Sequence, residues 1–359
     1  MSIEYRKDNG ALVWVRNPFT GAITYFTHVH KKRSGFVRHA QDALLRGVPE
    51  DRALYAAQLR QELAAAQRAC PFCPGNEAQT PDEVVRRSAH EVFAERSGGG
   101  WLIRAVPNLI PRIPECCTGG RNESYVVIED PRHFADDAQG HEDLLYTSLL
   151  PLEQFYGLLA VDVEVARRAH ANPAVRAVLI RKNQGRASGA SQPHVHNQVL
   201  GSDTPFPVVA RENEVTAGAP HVWNEIVDFA RQHGFLLEER DGCYAYFSPF
   251  GTFPRSYDVV CLHDWVRMVD LPAHRVQTFA TLLYNVLKIL GPTPLDYEIH
   301  DGPGVPLHAH VNARHFAYSN IGGTLNLPSN IVTHFDSLPR RPPDDLGAGA
   351  HPEEPAARR

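Results

Sequence analysis

The feature that most constrains this chain is an order of elements that occurs twice. The first pass runs through two strand-like segments, WLIRAVPN and ESYVVIED, and a helix from about Pro151 to Ala171. It continues with a strand, AVLIRKN, a glycine-rich loop, QGRASGASQ, and a second strand, HVHNQVLG. The helix follows from Leu152, Phe155, Leu159, Val163 and Ala166, which recur at helical spacing. The second pass supplies two strands in YAYFSPFGTFPRSYDVVCLHD, a helix from about Leu271 to Leu290, then DYEIH and LHAHVNAR. Each pass ends in His-x-His on a strand. Chance is the competing explanation in a chain with 19 histidines, but the flanking segments match as well. The pattern predicts an internal duplication, two pseudo-symmetric α+β halves that pair into one unit.

The predicted division is an N-terminal half over 1–200, a C-terminal half over 201–338 and a tail over 339–359. The tail is rich in Pro, Ala and charge, has almost nothing to bury and reads as disordered. The segment from about Phe36 to Ala69 reads as helical with a break near Pro49, and it delivers the chain to Cys70.

A formal net charge of −5 gives no general attraction for polyanions, so no nucleic-acid partner is expected. No apolar stretch approaches the ~18 residues of a membrane span, and the start lacks the build of a signal peptide. The expected location is therefore cytoplasmic, with no membrane partner. Six cysteines in 359 residues do not make a disulfide scaffold. Cys116 and Cys117 are adjacent and Cys243 and Cys261 stand alone, so these four read as packing residues.

Cys70 and Cys73 are different. In CPFCPGNE they flank two residues on a tight turn, and two thiolates so placed chelate one tetrahedral Zn²⁺. A structural site needs four ligands and the chain has no second C-x-x-C, which leaves histidines to complete it. The competing reading is a pair of buried cysteines beside a turn.

The central motif runs from Asn183 to Gln198. Alternation on a strand puts His194, His196 and Gln198 on one face, with Val195, Asn197 and Val199 on the other. The small-residue loop before it lets backbone N–H groups approach an anion, a phosphate cradle without a lysine. A neutral imidazole held by a hydrogen bond is a competent nucleophile toward phosphorus near pH 7. Gln198 can hold a non-bridging phosphate oxygen without competing for the proton. An isolated histidine is more often a core residue, but three polar groups on one face after a Gly/Ser loop reverse those odds.

His-x-His-x-Gln after a Gly-Ala-Ser loop resembles the galactose-1-phosphate uridylyltransferase family of the histidine-triad superfamily. CPFCPGNE is similar to that family's zinc turn and RAVPNLIP to its nucleotide-base strand. ESYVVIEDPRH resembles the strand leading to a further zinc histidine, and DYEIH with LHAHVNAR the second-half histidine strands. The likeness runs from about Cys70 to Asn326. It implies a histidine-triad-like α+β fold, each half an antiparallel sheet flanked by helices. It also implies Cys70, Cys73, His133 and His194 as zinc ligands and His196 as the nucleophile that becomes nucleotidylated. Asn183, Gly189, Ser191 and Gln198 would surround the phosphates, and Val106 and Asn108 would border base and ribose. Some family members hold a second divalent metal, iron or zinc. Glu212, His300, His308 and His310 fall in comparable places, with a paired buried histidine strand from a degenerate half as the alternative. A homodimer is expected by resemblance only.

Several positions depart from the family. Its N-terminal Arg-Arg-Asp-Pro-x-Thr-Gly signature survives only as Arg6-Lys7-Asp8, with Thr20-Gly21 as a displaced echo. Glu123-Ser124-Tyr125 replaces a His-Glu pair, Leu109 a lysine, Val195 the proline between the histidines and Asn197 a Gly or Ser. None touches the expected nucleophile or zinc ligands, so the chemistry transfers better than the substrate. The expected function is nucleotidyl transfer from a nucleotide sugar or similar nucleoside diphosphate derivative to a sugar phosphate, through a nucleotidyl-histidine. One alternative is a nucleotide-sugar or dinucleoside polyphosphate phosphorylase or hydrolase using the same histidine. The other is a non-catalytic, zinc-stabilised nucleotide-binding protein.

Overall fold

The two passes fold into one sheet. In a computed structural model, residues 3–27, 70–94, 99–135, 144–185, 188–251, 255–314 and 329–333 are described, with isolated positions 61, 65, 68 and 253. The helix read over 36–69 lies outside the described residues except for three single positions, and the tail lies wholly outside them.

The N-terminal strands are β1 (Tyr5–Asp8), β2 (Ala11–Arg16) and β3 (Ile23–Thr27). The first pass then gives β4 (Val85–Arg87), α1 (Ala89–Phe93), β5 (Ile103–Pro107), β6 (Ser124–Ile128), α2 (Leu152–His170), β7 (Ala177–Gln184) and β8 (His196–Ser202). Helices α3 (Pro207–Gly218) and α4 (Val222–Gln232) lead to the second pass. That pass comprises β9 (Leu236–Arg240), β10 (Cys243–Phe247), β11 (Ser256–Cys261), α5 (Ala273–Leu290), β12 (Leu295–His300) and β13 (Leu307–Ala313), with β14 (Ser329–Thr333) last.

The main sheet has ten strands in the order β4-β5-β6-β8-β7-β12-β13-β11-β10-β9. Read inward from each edge, the halves are the same series, and they join where β7 and β12 pair antiparallel from Leu295↔Gln184 to Ile299↔Ile180. The duplication is therefore a pseudo-twofold, and the two antiparallel sheets are continuous. Strands β1, β2, β3 and β14 form a separate four-stranded sheet.

Helices α2 and α5 occupy equivalent places, packed against each other and against their own strands. The helical spacing read in α2 holds, since Phe155, Leu159, Val163 and Ala166 are all buried. Pro151 and Pro272 precede the two helices in extended conformation, and each lacks the N–H that a first turn leaves unpaired. Across the halves, the Tyr284 hydroxyl donates to the Leu150 carbonyl at 2.9 Å. The helices cover one face of the sheet, and the polar side chains of both His-x-His segments stand on the other.

Cys243 and Cys261 correct the sequence reading. They face each other in the β10–β11 register and are joined by a disulfide. Strand pairing, invisible in an 18-residue separation, brings them together. No helix among the described residues is long and apolar enough to cross a membrane.

Candidate active site and metal centres

The turn CPFCPGNE is locked by its own side chains. Asn76 Nδ2 donates to the Cys70 carbonyl at 2.8 Å, and Cys73 N donates to the same carbonyl at 3.2 Å. Gly75 takes φ +87°, which a residue with a Cβ adopts only at a cost. Glu77 closes the motif, one carboxylate oxygen accepting from Gly75 N at 2.8 Å and the other from Trp101 Nε1 at 3.0 Å. The two thiols are thereby aimed at one point.

His133 and His194 meet them there. Cys73 Sγ lies 3.2 Å from His133 Nδ1 and 3.5 Å from His194 Nδ1, and Cys70 Sγ lies 3.8 Å from His194 Nδ1. All four donor atoms fall within 4.8 Å of one another, the spacing of the corners of a tetrahedral zinc site. His194 Nε2 donates to the Asp130 carbonyl at 2.8 Å, which leaves Nδ1 unprotonated toward the thiols. Asp130 is held by Arg132 at 2.9 Å and Gln154 at 2.9 Å, so α2 helps set the turn that presents His133. The thiols are tied by a mutual hydrogen bond that lowers Cys70 and raises Cys73, so the pair shares a proton. A divalent cation would compensate both as thiolates.

His196 opens β8, whose regular pairing begins there, and His194 stands just before the strand rather than within it. His196 Nδ1 donates to the His194 carbonyl at 2.7 Å, which fixes the tautomer with Nε2 unprotonated. Burial pushes the imidazole down to about 4, with a smaller push from Lys182. The ring of Phe72 packs edge-on at 5.4 Å. His196 is thus neutral at physiological pH and oriented, as a nitrogen nucleophile requires.

A buried polar layer that sequence reading missed lies beneath this strand. Lys182 Nζ pairs with Glu129 and donates to the His196 carbonyl at 3.2 Å. Thr147 Oγ1 donates to Glu129 at 2.7 Å. Asn197 Nδ2 donates to Asp162 of α2 at 2.7 Å and its carbonyl oxygen accepts from Tyr297 at 2.9 Å. The available sequence signal was Lys182 and Asn197 at the strand positions that alternate away from Arg181 and Gln198.

Two clefts meet at Gln198, and His196 lines the smaller of them. One, of about 330 Å³, is lined by Phe72, Val106, Asn108, Val126, His196 and Gln198. The other, of about 600 Å³, is lined by Arg112, Arg181, Asn183, Gly189, Gln198 and His300, among others. Gln198, Ser191 and Arg112 line both. The loop between β7 and β8 folds on itself, with Asn183 Nδ2 donating to the Ser188 carbonyl at 2.6 Å. Ser188 N and Ala190 N both donate to the Gly185 carbonyl, so two of the amides expected to cradle an anion are used within the loop.

The second cluster also assembles. Glu212 comes from α3, and its oxygens lie 2.9 Å from His300 Nδ1, 3.4 Å from His308 Nε2 and 3.1 Å from His310 Nε2. The three imidazoles are 5.0–5.1 Å apart, and His308 Nε2 is buried without a hydrogen bond. An orphaned nitrogen facing a carboxylate and two further imidazoles fits a divalent metal. Asp258, unforeseen from the sequence, is bonded to His310 Nδ1 at 2.7 Å and orients the ring.

Comparisons with known proteins agree with this architecture. Residues 115–270 match the model of a "Domain of unknown function (DUF4921)". ADP-glucose phosphorylase of Arabidopsis thaliana is 24% identical over 265 residues, covering 65% of this chain and 67% of that protein. The crystal structure of an Arabidopsis thaliana ADP-glucose phosphorylase with bound ADP-glucose superposes with a TM-score of 0.60 at 17% identity, over 92% of this chain and 95% of that one. A GalT-like protein of the same plant gives 0.60 at 16% identity, over 89% and 94%. A uridylyltransferase gives 0.55 at 20%, over 93% and 94%. The fold is therefore the one shared by these ADP-glucose phosphorylase, GalT-like and uridylyltransferase structures.

Proposed function

We propose that the protein is a nucleotidyltransferase that works through a covalent nucleotidyl-histidine. A nucleotide sugar, or a similar nucleoside diphosphate derivative, places its base and ribose in the smaller cleft beside Val106 and Asn108 and its phosphates at Gln198 and Ser191. His196 Nε2 attacks the α-phosphorus. The bond from phosphorus to the departing phosphate oxygen breaks, and the NMP group remains on the ring. A sugar phosphate then accepts the group in a second displacement. The observation that carries this reading is the fixed tautomer of a neutral His196 lining the smaller cleft, two residues from the Gln198 that both clefts share. Gln198 supports it, because an uncharged amide holds a phosphate oxygen without competing for the proton.

Zinc would be held by Cys70, Cys73, His133 and His194 and would tie the turn under Phe72 to the start of β8. A second divalent metal would be held by Glu212, His300, His308 and His310, bracing α3 against the second half. A second reading, in which orthophosphate takes the place of the sugar phosphate, is favoured by the likeness to ADP-glucose phosphorylase.

The test is intact-mass spectrometry after incubation with UDP-glucose, ADP-glucose and GDP-mannose separately, beside His196→Asn. A mass gain of one NMP with one donor, absent in the variant, is expected. No adduct under single-turnover conditions with any of a broad panel of donors would remove the covalent route.

A further inference from the structure

Between the two histidine clusters, the open face of the sheet carries one guanidinium to which the reading above assigns no work. The registers lay out a polar row across five strands: Gln198 is opposite Arg181, Arg181 opposite Glu298, Glu298 opposite His310, and His310 opposite Asp258. Directly opposed side chains on one face lie within reach of each other. Glu298 is turned to His300 at 3.6 Å, and His310 is bonded to Asp258. Arg181 is spent far less. Its Nη2 donates to Asn183 Oδ1 at 2.6 Å, its Nε is buried with no partner, and no carboxylate among the described residues comes within ion-pair distance. Its side chain lines the larger cleft, where Arg112 also stands, with Nη2 3.4 Å from Ser191 Oγ. A half-buried guanidinium with most of its five donors unused matches the planar oxygens of an anion.

We propose that Arg181, with Arg112 in the same cleft, seats a phosphate dianion beside Gln198, so that one of its oxygens attacks the phosphorus carried by His196. This rests on the covalent reading. The new O–P bond forms as the P–Nε2 bond breaks, and its electron pair returns to Nε2. The proton stays on Nδ1, hydrogen-bonded to the His194 carbonyl, and the imidazole leaves neutral. An attacker that is already anionic needs no general base, unlike water or a sugar hydroxyl. With orthophosphate the product is a nucleoside diphosphate. With a phosphomonoester it is a new nucleoside diphosphate derivative. By reversibility, the departing phosphate of the donor occupies the same seat.

The test uses the full chain, with Arg181→Gln and Arg181→Lys. Each protein is charged to completion with the donor that gives the adduct, freed of small molecules, and given orthophosphate, glucose 1-phosphate or buffer alone. The compound that discharges the wild-type adduct identifies the source of the phosphate. In Arg181→Gln, the half-saturating concentration of that compound should rise about 30-fold or more, the loss of a charge-assisted pair, while slow discharge by water persists. Arg181→Lys should recover part of the loss. Wild-type concentration dependence in Arg181→Gln would overturn the proposal. If the wild type forms no adduct, the covalent reading falls, and titration calorimetry with orthophosphate and with glucose 1-phosphate still decides the seat. Weaker binding in Arg181→Gln by the same factor supports it; equal or absent binding in both proteins refutes it.

Discussion

Lys182→Met is the perturbation that most directly tests the layer beneath the nucleophile. Lys182 and Glu129 are 1% and 0% exposed, so the pair has essentially no water to fall back on. Removing the lysine leaves a buried carboxylate with, among the described residues, only the Thr147 hydroxyl as donor. Breaking one side of such a pair costs about 3–5 kcal/mol, because an uncompensated charge stays in a dry site. Replacing both partners, Lys182→Met with Glu129→Met, removes the stranded charge as well as the attraction. Thr147 keeps the Gln184 side chain at 3.1 Å, so the double variant should lie within about 2 kcal/mol of wild type. The single variant should therefore be less stable than the double. Urea unfolding followed by fluorescence reports it, with Trp101 beside the cysteine turn and Trp223 in the other half. At a slope of about 3 kcal/mol per molar, the single variant should lose about 1 M or more in its midpoint. Coincident midpoints by fluorescence and by far-ultraviolet circular dichroism would license the two-state treatment. A single variant within about 1 kcal/mol of wild type, or a double variant less stable than the single, would refute the reasoning. The same lysine holds the His196 carbonyl, so the rate of adduct formation should fall in both variants.

Three shorter predictions follow from other parts of the site. Cys73→Ser should lose about one equivalent of zinc and melt at lower temperature, since binding energy at such a site is folding energy; metal analysis with calorimetric melting checks it, and a metal-free wild type of unchanged melting temperature contradicts it. Because burial holds His196 near 4, its nucleophilic form is present throughout pH 5.5–7.5, so the rate of adduct formation should be flat there. An ordinary histidine near 6.5 would give about a tenfold rise over the same window, and such a rise in stopped-flow mass measurements would rule out the buried neutral imidazole. Gly185→Ala puts a Cβ 3.0 Å from Pro294 at φ +76°, and should cost about 1–3 kcal/mol in thermal unfolding and slow adduct formation by loosening the loop.

The linear order of elements was legible because periodicity is local. The helix read from Leu152, Phe155, Leu159, Val163 and Ala166 was placed within one or two residues, and the two His-x-His strands were recognised as equivalents. Both four-residue clusters were also named in advance, from motif types and resemblance, and the fold draws each together.

Register and depth were not legible. Nothing in the spacing of Cys243 and Cys261 says that they oppose each other across two strands. Lys182 and Arg181 are neighbours in sequence and point to opposite faces of one strand. One is walled in by α2 and an acidic partner, and the other is left facing a cleft, a difference of surroundings that only the packed sheet creates. The sequence by itself determined which chemical groups exist and in what order, because residue type and local periodicity are properties of neighbours along the chain. Tertiary structure alone decided the charge state of His196, the continuity of the ten-stranded sheet and the row from Gln198 to Asp258. Burial, strand pairing and electric field are set by residues tens or hundreds of positions apart.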